Sequence, residues 1–552
     1  MANLAHLPAE IIFDILSNEF SYDDLWSLCL VNRRLNKFTT PILYKTVTIR
    51  VVSSSFIEDN AKRFRHGAGV LERDIPSLRL PNHSSLQFIR YFGLDVHSRD
   101  ESRPVLYGRN HRIVANSAFD VLKSLGRDQL KGFLFGIAEF SDEMIQHLQK
   151  FQCKIESIYE QEDKVSLEET DRTRMMRLVL HKRTNFVDLT LNSVTLETFI
   201  PFCCLLIESQ NTLRSLFVDL AKFDKVDKTT NYRLSPYKDD LIEALAKLNV
   251  DFHNPPKLGS IKRLYLRNCA SRSDSLSSFF FRILEFSELD YLNVYNMAQA
   301  VELWDRISMS SLKLVSLHLA NTKYRYKFEE KIKHVLLSFI GLKELCLDYS
   351  GFSKDMNEGI LNHAASLQKL FWNLENQFNL NAALKELRDI SKLTNLRELA
   401  ISGLEIREDH LDFPLPPNLN LLLILTGSSL EMTGRESQPF NFVTASQLFK
   451  FIGDRFGRTP LGRKPFNYLA LDRSRTGRGA DRFFVCPFTV KVVDGEKADD
   501  GRGFDPMATK YVYHFLGREL LPMDAYFRVP EPMLHWMPPK TWRKLAKPDD
   551  IR

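Results

Sequence analysis

Cysteine is scarce and badly spaced for cross-linking. Seven are spread over 552 residues, at Cys29, Cys153, Cys203, Cys204, Cys269, Cys346 and Cys486. The number is odd and no C-x-x-C pair occurs, which argues against a disulfide or zinc framework and for reduced thiols in the cytoplasm or nucleus. Long apolar runs are missing too. The longest, 199–207, is interrupted by Pro201 and falls far short of the roughly 20 residues a membrane-spanning helix needs. No basic stretch followed by an apolar run opens the chain, so no secretory leader and no membrane partner are expected. An excess of one charge is also absent. The 75 Lys and Arg against 69 Asp and Glu leave +6 over the whole length, too dilute to point to nucleic acid.

Catalytic signatures are equally thin. H-E-x-x-H, G-x-S-x-G and G-x-G-x-x-G do not occur. Gly457-x4-Gly462-Arg463-Lys464 is the nearest approach to a phosphate loop. Its lysine does not follow the second glycine directly, no Ser or Thr comes next, and Pro465 stands where the helix should begin. Cys203 and Cys204 sit in an apolar run and read as core, not as nucleophiles. The chain reads as a non-enzyme, with no catalytic residue, metal or cofactor expected.

What is present is a small helical module followed by a long repetitive stretch. Leu7-Pro8-Ala9-Glu10 reads as a helix start, with proline in the first turn, where its missing N–H has no partner to lose, and Glu10 at the positive end of the dipole. Ile11, Ile12, Ile15 and Leu16 form one stripe. Ser21-Tyr22-Asp23-Asp24 opens a second helix whose apolar face is Leu25, Leu28, Cys29 and Val31. Asn32 caps a short third helix over Arg33 to Phe38, Pro41-Ile42-Leu43-Tyr44 ends the unit, and Thr46 to Ile49 reads as a strand. A module of about 40 residues seldom supports its own core, so this one should lean on a neighbour or a partner.

These residues resemble the F-box pattern: Leu7-Pro8-x-Glu10-Ile11-x3-Ile15-Leu16, then Leu25-x2-Leu28-x2-Val31-Asn32-Arg33, then Leu35. Asn32 stands where many members carry Cys, and Leu35 where many carry Trp. The resemblance implies docking on Skp1, and through it on a cullin and its RING partner. It places Leu7, Pro8, Ile11, Ile15, Leu16, Leu28 and Val31 at or beneath the Skp1 surface. It implies a substrate adaptor of an SCF-type ubiquitin ligase, with an F-box scaffold acting outside ubiquitination, or a plain repeat interaction protein, as alternatives. The protein substrate is not readable.

Beyond residue 185 the pattern apolar-x-x-apolar-x-apolar recurs. Phe186-Leu189-Leu191, Leu213-Leu216-Val218, Ile261-Leu264-Leu266, Leu289-Leu292-Val294 and Leu314-Leu317-Leu319 are followed by Leu342-Leu345-Leu347, Leu367-Leu370-Trp372, Leu396-Leu399-Ile401 and Leu419-Leu422-Ile424. From Ile261 the steps are 28, 25, 28, 25, 29 and 23 residues, the spacing of leucine-rich repeats. The expected fold is therefore α/β: a leucine-rich-repeat solenoid, parallel strands inside and helices outside, behind an all-helical F-box. The expected segments are 1–45 F-box, 46–185 a looser repeat-like region, 186–426 the array and 427–552 a C-terminal cap. The Asn or Cys usual after the strand appears only as Cys269, with Met297, Thr322, Ser350, Glu375 and Leu404 at later repeats.

Alternation along a strand puts Arg263, Tyr265 and Arg267 opposite the core. The same count exposes Asn293 and Tyr295, His318, and Phe371. Tyr265, Asn293, His318, Cys346 and Phe371 should make one lateral row, with the aromatic and arginine character of a target-binding surface. A second candidate is the basic loop of Arg455, Arg458, Arg463, Lys464, Arg473, Arg475, Arg478 and Arg482, which reads either as a solvated loop or as a site for an acidic or phosphorylated partner.

Overall fold

The structure is a computed structural model. It describes residues 7–487 apart from 20–21, 53–68, 72–82, 98–118, 136–141, 161–184, 192–193, 195, 221–234, 268–274, 296–300, 321–325, 349–355, 374–387, 403–413, 420, 426–467 and 473–482. The chain divides between Glu285 and Phe286 into two units.

The first unit opens with three helices, α1 (Ala9–Glu19), α2 (Tyr22–Val31) and α3 (Arg33–Leu43). Asn32 caps α3, its side chain accepting from the Arg34 N–H at 2.7 Å. The third helix was expected to stop at Phe38; it runs on through Pro41 to Leu43. Proline removes one backbone donor near the helix end, and the extra turn buries Ile42 and Leu43, which more than offsets that loss.

A parallel sheet follows in the order β2–β1–β3–β4–β5–β6–β7–β8. Its strands are β1 (Thr46–Val52), β2 (Gly69–Leu71), β3 (Tyr91–His97), β4 (Gly132–Phe135), β5 (Ser157–Glu160), β6 (Asp188–Leu191), β7 (Ser215–Asp219) and β8 (Arg263–Arg267). Helices α4 (His83–Leu86), α5 (Asp142–Phe151), α6 (Leu196–Glu208) and α7 (Ser235–Lys247) stand between them, and α8 (Ser275–Ile283) follows β8. The second unit repeats the plan. Its parallel strands are β9 (Tyr291–Tyr295), β10 (Ser316–Ala320), β11 (Glu344–Asp348), β12 (Lys369–Asn373), β13 (Glu398–Ser402), β14 (Leu421–Leu425) and β15 (Tyr468–Asp472). The last of the described strands, β16 (Phe483–Pro487), turns back antiparallel on β15. Helices α9 (Val301–Met309), α10 (Tyr326–Leu337) and α11 (Met356–Leu361) alternate with the first of these strands.

The leucine pattern forms the core in both units. Leu264, Leu292, Leu317, Leu345, Leu370, Leu399 and Leu422 are at most 1% exposed, as are the residues three positions ahead of the first six of them. Burying one such side chain is worth about 1.5–3 kcal/mol, so each triplet contributes several kcal/mol only when its neighbours stack on it. The architecture is the α/β repeat fold expected from the spacing.

Two hydrogen-bonding devices, one of backbone alone and one from side chain to backbone, hold successive repeats in register. The carbonyl just ahead of a strand accepts two successive N–H groups from the next: Val315 O takes Lys343 N (2.9 Å) and Glu344 N (3.1 Å), and Lys343 O takes Gln368 N (2.7 Å) and Lys369 N (3.0 Å). Side chains placed three residues ahead of a strand then reach back to the previous turn. Ser260 Oγ donates to Leu213 O (2.8 Å), Ser366 Oγ to Leu342 O (2.8 Å), Asn395 Nδ2 to Ala365 O (2.5 Å) and Asn418 Nδ2 to Thr394 O (2.7 Å). The positions after the strands, where a consensus repeat carries Asn, lie outside the described residues.

Among the helices, Gly359 marks the closest approach. A Cβ there would meet Leu336 Cβ at 2.9 Å, so α11 lies against α10 at a distance only glycine allows. Beside it His363 is buried against Phe339, ring centroids 4.8 Å apart.

Candidate interaction surfaces

The helical module has its own small core of Ile12, Leu16, Leu25, Leu35, Ile42 and Leu43, edged by Leu7, Leu28, Cys29, Phe38 and Tyr44. A short polar link stitches α2 to α3, with Cys29 Sγ 2.8 Å from Thr39 Oγ1 and that hydroxyl donating to Leu35 O. With the interior filled, several large apolar side chains remain outside: Ile11 is 48% exposed, Phe13 48%, Trp26 49%, Leu30 76% and Val31 74%. Trp26 and Leu30 are four residues apart and share one face of α2. Of the residues expected at the docking surface, Pro8, Ile11 and Val31 are exposed, and Leu7, Ile15 and Leu28 are half-buried. Leu16 is wholly interior and offers no surface; it supports the face from beneath. Phe13, Trp26 and Leu30 are not marked as surface by the sequence, because both helices are apolar on more than one side and the pattern alone does not say which side packs.

On the sheets, the face opposite the core differs from the expectation. In the second unit the register does align Asn293, His318, Cys346 and Phe371 in one row, followed by Ala400. The row is not an open aromatic surface. His318 is 1% exposed, Cys346 3% and Phe371 5%, while Asn293 and Tyr295 are partly exposed. In the first unit Tyr265 is 2% exposed and lies against Phe217, centroids 5.8 Å apart. Arg263 is half-buried, and Arg267 pairs with Asp219 at 3.5 Å. Alternation gives the direction of a side chain but not what lies over it, so strand counting alone overestimated exposure.

That face carries a polar network in the second unit. Tyr291 Oη lies 2.9 Å from His318 Nδ1, and Ser316 Oγ 3.4 Å from His318 Nε2. One rung further on, Lys369 Nζ stands between Glu344 (3.6 Å) and Glu398 (3.7 Å), at ion-pair distance from both but too far for a good hydrogen bond to either. Burial raises both carboxyls above their ordinary value, against the pull of the shared ammonium. Burial also pushes His318 down to about 3, which keeps it neutral. His363, in the helical layer, is pushed down to about 4; neither ring nitrogen makes a hydrogen bond of good geometry, and the nearby Leu336 carbonyl offsets burial only slightly.

The residues singled out for chemistry have core environments. Burial raises the Cys203 thiol well above its ordinary value and Cys204 to about 11, the reverse of an activated thiolate. Among the described residues no group of three or more His, Cys, Asp or Glu is placed to hold a metal ion, and no helix is long and apolar enough to cross a membrane. The basic positions between Arg455 and Arg482 lie outside the described residues.

Comparison with known families matches an F-box-like model to residues 4–50. No curated protein matches the chain. Among solved structures, the crystal structure of the Rad7 and Elc1 complex in yeast is similar at 15% identity over 75% of this chain and 97% of that chain, with a TM-score of 0.36.

Proposed function

From an F-box-like domain at residues 4–50 set ahead of strand–helix repeats, we propose that this chain is a non-catalytic adaptor of an SCF-type ubiquitin ligase. In this reading the module docks on Skp1 and the repeats carry a protein target. The observation that carries it is the module's surface. A filled six-residue core leaves Ile11, Trp26, Leu30 and Val31 in water, where they gain nothing until a partner covers them. Of the residues expected to meet the target, Arg263 and Arg267 in the first unit and Asn293 and Tyr295 in the second keep some exposure, and the proposal narrows to these, each unit taken by itself; Tyr265, His318 and Phe371 are buried and drop out of it.

The test is co-purification of Skp1 with the full chain and with Leu30→Glu/Val31→Glu. Both positions are mostly solvent-exposed, so the variant should fold normally and lose Skp1. Skp1 retained at the wild-type level would refute the docking face. If Skp1 is captured but no cullin accompanies it, the second reading applies, a scaffold acting outside ubiquitination.

A further inference from the structure

We propose that the leading edge of the first unit's sheet, beside the helical module, is a binding site for a short anionic peptide segment bearing phosphate or clustered carboxylate groups. The proposal rests on the adaptor reading and names the chemistry of a target it would hold.

The geometry is set by the backbone. Lys45 O accepts Arg90 N (2.9 Å) and Tyr91 N (3.0 Å), and Arg90 O accepts Lys131 N (2.7 Å) and Gly132 N (3.1 Å). These bonds place Lys45, Arg90 and Lys131 at the same position on three adjacent strands, about 4.8 Å apart per step. The residues just ahead of the last two, Ile89 and Leu130, are fully buried, so the side chains that follow turn outward. Lys45 and Lys131 are exposed and Arg90 partly so. Among the described residues none of the three is in an ion pair. Arg90 spends part of its guanidinium on Gln87 O (2.8 Å) and Ile89 O (3.1 Å), which fixes its position and leaves further donors. Lys45 Nζ lies 6.0 Å from the Tyr91 ring centroid.

The row then stops. The next strand presents Glu156 at this position, whose N–H bonds to Lys131 O at 2.7 Å. Three cations spanning about 10 Å suit two anionic side chains of an extended peptide, which repeat at roughly 6.8 Å along one face. A nucleic acid fits less well, because the row is short, ends on a carboxylate, and carries no series of exposed aromatic rings for stacking.

The experiment uses the full chain and an oriented peptide library, with phosphoserine, glutamate or serine at two positions spaced one to three residues apart and the rest randomised. A fluorescent 12-nucleotide single strand is run in parallel. Wild type should select an anionic residue at both fixed positions, and Lys45→Glu/Lys131→Glu should weaken the selected peptide by about tenfold or more. Skp1 capture by the same variant should be unchanged, which separates this site from the docking face: loss of Skp1 from wild type sinks the adaptor reading and says nothing for the peptide site. Absence of anionic selection, selection unchanged by the charge reversal, or tighter binding of the oligonucleotide than of the selected peptide would each overturn the proposal.

Discussion

Acidification should destabilise the second unit through two buried histidines. His318 and His363 are each 1% exposed, and burial holds them near 3 and 4, against about 6.5 in an unfolded chain. The unfolded state therefore binds more protons, and stability falls as pH falls below about 6.5. At pH 5.5 an unfolded imidazole is about nine-tenths protonated while the folded one stays neutral, which costs about 1.4 kcal/mol per histidine, or about 3 kcal/mol for the pair relative to pH 7.5. Glu344 and Glu398 act in the opposite sense. Their raised carboxyls gain protons in the folded state first, so each recovers stability as pH falls toward its ordinary value. The histidine part is isolated by subtraction. Urea unfolding of wild type and of His318→Gln/His363→Leu is measured at pH 7.5 and 5.5. Wild type should lose about 3 kcal/mol more than the variant across that interval. Equal losses would mean that neither imidazole is kept neutral by the fold.

Other substitutions test the packing. Gly359→Val should destabilise by several kcal/mol in thermal or urea melts, since its Cβ alone would lie 2.9 Å from Leu336 Cβ. Leu345→Ala removes a fully buried strand leucine and should cost about 2–5 kcal/mol, with the loss confined to the unfolding of the second unit. Asn32→Ala removes the cap on α3 and should cost the helical module about 1 kcal/mol, read as weaker protection of the Arg34 amide in hydrogen exchange. A fragment ending at Asn321 strips β11 from β10 and should aggregate; a soluble, sharply melting monomer would contradict the stacking argument.

The strands were legible because their signal is redundant. Leu264, Leu292, Leu317 and Leu345 recur at steps of 28, 25 and 28 residues, and all four are buried. The cap on α3 was legible for a similar local reason: Asn32 bonds a backbone group two residues away. The end of α3 was misjudged because proline is a strong local signal, and it was overruled by the burial of Ile42 and Leu43, which is tertiary. The exposure of Tyr265, His318 and Phe371 was misjudged for the same kind of reason, since what covers a sheet face comes from distant sequence. The basic row of Lys45, Arg90 and Lys131 was invisible in one dimension. Its members are about 40 residues apart and share nothing until the strands align them.

The reversal at β16 bears on how copies of this chain behave towards each other. A parallel edge strand presents the same hydrogen-bonding frame as every internal repeat, so another chain's strand can extend it like one more floor on a tower. At β15 that run of parallel floors ends among the described residues: β16 runs the other way, and its bonds to β15 come in alternating close and wide pairs where the parallel repeats space theirs evenly. The strand Phe483–Pro487 thus occupies the side of β15 on which another chain's parallel strand would dock, and deleting it should make the chain's sedimentation depend more steeply on concentration.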